Sequence, residues 1–63
     1  MDKDQAVEIM LNSFNEDTRQ MCKQYGMSDE ETEQKIQESQ QSLYFLLSNA
    51  YDKISEVKVN ANV

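Results

Sequence analysis

Lys23-Gln24-Tyr25-Gly26-Met27-Ser28-Asp29-Glu30-Glu31 decides the fold of this 63-residue chain. Lys23 complements the carbonyl end of a helix, and Gly26, the only glycine, suits the left-handed residue that follows one. Met27 then lies over Cys22, the apolar contact of a Schellman ending. Ser28 opens a second helix, with Glu31 three residues on as its capping-box partner. Asp29, Glu30, Glu31 and Glu33 crowd the first turn, where the positive end of the helix dipole favours them. Only Met27 separates the stop signal from the start signal. So short a link makes the two helices antiparallel neighbours.

Upstream, Val7, Leu11, Phe14, Thr18, Met21 and Tyr25 recur at spacings of 4, 3, 4, 3 and 4, with Met10 and Cys22 beside them. That is the period of an amphipathic helix. Asp2 with Gln5 forms one possible capping box, and Asp4 is an equal candidate for the cap. Downstream the stripe is Thr32, Ile36, Ser39/Gln40, Leu43, Leu46/Leu47, Ala50, Ile54 and Val57. Its first half is polar and its second half apolar. The run Leu43-Tyr44-Phe45-Leu46-Leu47 is apolar all round, so more than one face is covered. Val57, Val59, Ala61 and Val63 alternate with polar residues, an extended pattern. The expected layout is helix one over about 4–25, a turn at 26–28, helix two over about 29–56, and a flexible tail at 57–63. The tail's alternative is an added strand.

In such a hairpin, facing residues carry numbers that sum to roughly 54. Val7 then meets Leu47, Leu11 meets Leu43, and Thr18 meets Ile36. Ile9 and Phe45 each lie about 200° from their stripe, at 100° per residue. Tyr44 and Tyr51 flank Phe45, and Ile54 lies where helix two outruns helix one. Ile9, Tyr44, Phe45, Tyr51 and Ile54 are therefore the candidate interface, either for self-association or for a protein partner.

Composition excludes much else. Acidic residues number 12 and basic residues 6, a net charge of −6, and histidine is absent. One cysteine cannot form an internal disulfide, and without histidine the usual zinc sites and histidine relays are impossible. A chain this short buries only about 60% of its unfolded surface, so it is marginal alone. Oligomerisation is the remaining support. The basic residues Lys3, Arg19, Lys23, Lys35, Lys53 and Lys58 are scattered, which disfavours direct nucleic-acid binding. No apolar run is long enough to span a membrane, and the acidic N-terminus lacks a signal core. A cytoplasmic protein is expected.

Other chemistries are weaker. Asp29 to Glu33 lacks the spacing and glycine of a calcium loop. Cys22 lies on the apolar stripe, where a thiol is usually inert. Tyr25, Tyr44 and Tyr51 lack the interleaved basic residues of a single-strand binder. A two-helix hairpin has no cleft for paired carboxylates. Catalysis, cofactors and metals are therefore not expected. An acidic inhibitor that mimics nucleic acid is the alternative function, though Ser, Gln and Asn interrupt its ladder of acids.

The stretch Gly26 to Glu31, the whole-chain length and the lack of a catalytic motif resemble the small helical accessory proteins encoded in early regions of lambdoid phages. That resemblance implies a non-enzymatic factor acting on host regulation or phage development. The layout is also similar to that of the dimeric hairpin that controls plasmid copy number by binding RNA, but this chain lacks its basic face. The expectation is an all-α antiparallel two-helix hairpin that dimerises into a four-helix bundle. It would act as a protein–protein interaction module, whose partners are itself and an unidentified protein.

Overall fold

The chain turns back on itself within four residues, and the turn is closed by backbone hydrogen bonds. α1 spans Lys3–Gln24 and α2 spans Asp29–Ala61 in a computed structural model that describes residues 1–61, with side chains to residue 57. The Met27 N–H donates to the Cys22 carbonyl at 3.0 Å and the Gly26 N–H to the Lys23 carbonyl at 3.0 Å. These are the paired bonds of a Schellman ending. Gly26 has φ +79°, a left-handed backbone that a β-carbon disfavours.

Side chains close the helix starts. The Gln5 N–H donates to Asp2 Oδ1 at 2.9 Å, and the Asp2 N–H donates to Gln5 Oε1 at 3.3 Å. The box therefore forms at Asp2, and the Asp4 alternative falls away. At α2 the Glu31 N–H donates to Ser28 Oγ at 3.2 Å. The Glu31 carboxylate turns to the Ser28 hydroxyl at 3.0 Å, not to its backbone N–H.

The two helices pack along one seam, in register with the sequence reading. Asn15 bonds Gln40, and Lys3 pairs with Asp52, so their numbers sum to 55; Arg19 pairs with Glu33, for 52. The seam of α1 is Val7, Leu11, Asn15, Thr18 and Cys22. On α2 it is Thr32, Ile36, Gln40, Leu43, Leu47, Tyr51 and Ser55. Both differ from the expected stripes. Asn15 takes the place of Phe14, Cys22 that of Met21, and Tyr51 and Ser55 those of Ala50 and Ile54. The reason is period. The expected α1 stripe advances by about 3.6 residues per step, whereas the observed seams average about 3.75 or more, so the contact line drifts onto Asn15 and Cys22.

α2 does not stop near Glu56. It continues through Ala61, so positions 57–61 of the expected tail are helical; 62 and 63 lie outside the described residues. Nothing in 29–61 is Gly or Pro, and extending an existing helix costs far less than starting one. With Lys3 level with Asp52, residues 53–61 overhang α1 by about two and a half turns. The molecule is a rod of 50 × 20 × 16 Å. Among the described residues no helix is long and apolar enough to cross a membrane.

A β-carbon added at Gly26 would meet nothing within 4 Å, so substitution there strains only the backbone. Gly26→Ala should therefore lower unfolding stability by about 1 kcal/mol, read as a reduced urea midpoint with unchanged slope.

Candidate interaction surface

The buried apolar core among the described residues is Val7, Cys22 and Ile36, joined by the polar Asn15 and Thr32. Asn15 is 6% exposed, yet its needs are met. Its amide donates to Gln40 Oε1 at 3.2 Å, and the Gln40 amide returns a bond to Asn15 Oδ1 at 3.4 Å. Thr32 donates its hydroxyl to the Ser28 carbonyl at 2.9 Å. Burial without partners would be costly, and no buried side-chain polar atom among the described residues lacks one. The Asn15–Gln40 pair was missed by sequence reasoning. Its signal was two amides at one level of the hairpin.

Polar ties run along one side of the rod. From the turn outward they are Arg19–Glu33 at 2.8 Å, Asn15–Gln40, and the Tyr44 hydroxyl donating to Asp4 Oδ1 at 3.3 Å. Each joins one flank of α1 to one flank of α2, which defines a tied side. Lys3 reaches Asp52 at 3.0 Å near the open end. The residues on the opposite flanks of both helices share the untied side.

The five predicted interface residues divide among different sides. Ile9, 57% exposed, and Phe45, 64% exposed, each lie on the back of their own helix. The backs of two packed helices point in opposite directions, so these two do not form one surface. Ile9 edges an open hollow with Met1, Gln5, Glu8 and Asn12, all from the α1 end of the chain. Tyr44 and half-buried Tyr51 lie on or beside the tied side. Ile54, 62% exposed, lies on the untied flank.

The untied side holds apolar residues that the sequence reading had assigned to the core. Phe14, Met21 and Leu46 are all exposed. On α2, Leu46, Ala50, Ile54 and Val57 follow one another at helical spacing, and all four are exposed. On α1, Met10 and Phe14 flank the seam on the same side. By the register, Met10 stands level with Leu46.

The hollow between Arg19, Lys23, Thr32 and Glu33 is open and occupied along one edge by the Arg19–Glu33 pair. Among the described residues no group of three or more Cys, Asp or Glu side chains is placed to hold a metal ion. Comparison of the chain with protein-family models, with curated proteins and with solved structures found no match.

Three ionisable groups carry the marks of their ties, Arg19 and Glu33 from one pair and Tyr44 from another. The hydrogen bond from Arg19 holds the Glu33 carboxyl below the ordinary glutamate value. The Asp4 carboxylate, aided by loss of water and the hydrogen bond, pushes the Tyr44 phenol up. For Glu33 the lowered folded value gives stability that is present above the unfolded pKa and lost as pH falls through the folded one. The fall in melting temperature from pH 6 to pH 3 should therefore be smaller in Arg19→Gln than in the parent. For Tyr44, phenolate absorbance should rise at lower pH in Asp4→Asn than in the parent chain.

Proposed function

We propose that this chain is a non-catalytic protein–protein interaction module that works as a homodimer, two hairpins forming a four-helix bundle. The observation that carries the reading is the imbalance between core and surface. Among the described residues Val7, Cys22 and Ile36 are the buried apolar ones, while Phe14, Met21, Phe45, Leu46 and Ile54 stand in solvent. A soluble surface tolerates scattered apolar residues, but a run of them marks an association site. Self-association supplies the support that a disulfide or metal gives other small domains. The resemblance carried by Gly26 to Glu31 extends the reading to a small accessory factor that acts on host or phage development by docking a further protein. Phe45 and Ile9, on the outer backs of the helices, remain open for that partner once two hairpins have paired. The acidic-mimic reading is less favoured. Asp29, Glu30 and Glu31 lie in the first turn of α2 and Glu33 holds Arg19, so local structure accounts for these acids.

Folding coupled to association makes stability depend on protein concentration. The melting temperature should rise across a hundredfold increase in chain concentration. It should also rise with moderate salt, because each copy carries −6 and screening relieves their repulsion. A melting temperature constant over that range would overturn self-association.

A further inference from the structure

We propose that the untied side, carrying Met10, Phe14, Leu46, Ala50, Ile54 and Val57, is the surface on which a second copy of this chain docks, related by a two-fold axis. The proposal rests on the self-association reading above and deepens it by assigning the face. It also replaces the candidate surface built around Ile9 and Phe45.

Area argues for the occupant. The chain exposes 5297 Å². That exceeds by about 1,100 Å² the roughly 4,200 Å² of a compact monomer of its mass, and it hides only about half of the unfolded surface where about 60% is usual. A standard interface removes about 800 Å² from each partner, enough to restore most of the deficit. The radius of gyration, 14.8 Å, likewise exceeds the value of about 11 Å for a compact domain of this length. The deficit belongs to every copy of the chain. An isologous pair answers it for both copies with the same patch.

Continuity argues for the face. On α2, Leu46, Ala50, Ile54 and Val57 form an unbroken apolar strip at spacings of 4, 4 and 3. Phe45 has no such company. Its helical neighbours at three and four residues are Gln41, Ser42, Ser48 and Asn49. Ile9 sits among Gln5, Glu8 and Asn12, with Met1 as its one apolar companion in that hollow. The tied side is closed to apolar docking by Arg19, Glu33, Asp4 and Asp52, whose charges would have to shed water. The untied strip also continues into the overhang, where Ile54 and Val57 have no α1 beside them. A second copy reaches them where the chain's own first helix does not.

Leu46→Glu and Phe45→Glu test the assignment, being adjacent, exposed and compatible with a helix. In sedimentation equilibrium of the full chain, Leu46→Glu should weaken the dimer at least about 30-fold, as a hot-spot loss does. Phe45→Glu should change it by less than about threefold, as surface changes do. Should Leu46→Glu lose its helical circular dichroism, the parent chain decides the matter. A soluble paramagnetic agent should then spare the methyls of Leu46, Ala50 and Ile54 and broaden those of Ile9. The reverse order of the two variants, or a dimer whose Leu46 and Ile54 methyls broaden like Ile9, overturns the face and leaves self-association standing. A parent chain that stays monomeric and helical to high concentration overturns both.

Discussion

Two helices share a single line of contact, and that line is too narrow for the apolar residues this chain carries. In a larger bundle each helix has two or more neighbours and can hide a broad stripe. Here each helix has one. Val7, Cys22 and Ile36 fill most of the dry space available. Asn15 and Thr32 enter the seam with their hydrogen bonds satisfied, Asn15 by Gln40 across the seam and Thr32 by the Ser28 carbonyl of its own first turn. Phe14 and Met21, only one residue away from Asn15 and Cys22, are turned by 100° and fall outside. Their exposure follows from topology. The same constraint makes the second surface of the hairpin the natural place to look for its function.

The polar ties set the register and also divide the sides. Asn15 and Gln40 exchange hydrogen bonds at one level of the rod, and a slip by one turn would strand both amides. A buried amide that pins register at some cost in stability is a known device of paired helices. Arg19–Glu33 and Lys3–Asp52 are exposed and contribute little energy by themselves. Their effect is positional. Arg19–Glu33 keeps its charge on the tied side, whereas Lys3, two turns before Met10 on the same face of α1, reaches Asp52 across the open end. Register and surface asymmetry thus come from the same few side chains.

The turn was legible in the sequence because its signals are local. Gly26, Lys23 and Ser28 each act within a few residues of themselves, and the structure uses all of the Gly26–Met27 hydrogen bonding that they imply. The register was legible because a link this short leaves little freedom. The seam was legible only in part. Val7, Leu11, Thr18, Ile36, Leu43 and Leu47 hold their expected places, but the reading favoured Phe14 over Asn15 on hydropathy. Which residue enters depends on how the helices wind about each other, and that is a property of the pair. The same shift moved Leu46 and Ala50 from core to surface. The alternation of Val57, Val59 and Ala61 misled for another reason. An alternating pattern signals a strand only where a sheet exists to receive it, and a helix already under way passes through it in the absence of Gly or Pro.

Acidity and apolar exposure look opposed in this chain but act at different ranges. A net charge of −6 opposes indiscriminate association through exposed Phe45 and Ile9. Repulsion between solvated charges fades beyond about 8 Å at physiological salt. The densest acids, Asp29 to Glu33, sit at the turn end of the rod, whereas the apolar strip lies at the open end and in the overhang. The helical rise from Glu33 to Leu46 is about 20 Å, a little over two screening lengths. The open half still carries Asp2, Asp4, Glu8, Asp52 and Glu56 against Lys3, Lys53 and Lys58, so in the proposed pairing part of the charge is opposed and salt relieves it. Misaligned encounters that bring a turn against an apolar strip gain less burial and desolvate carboxylates. In the proposed dimer, charge placement thereby favours pairings that keep the turns apart.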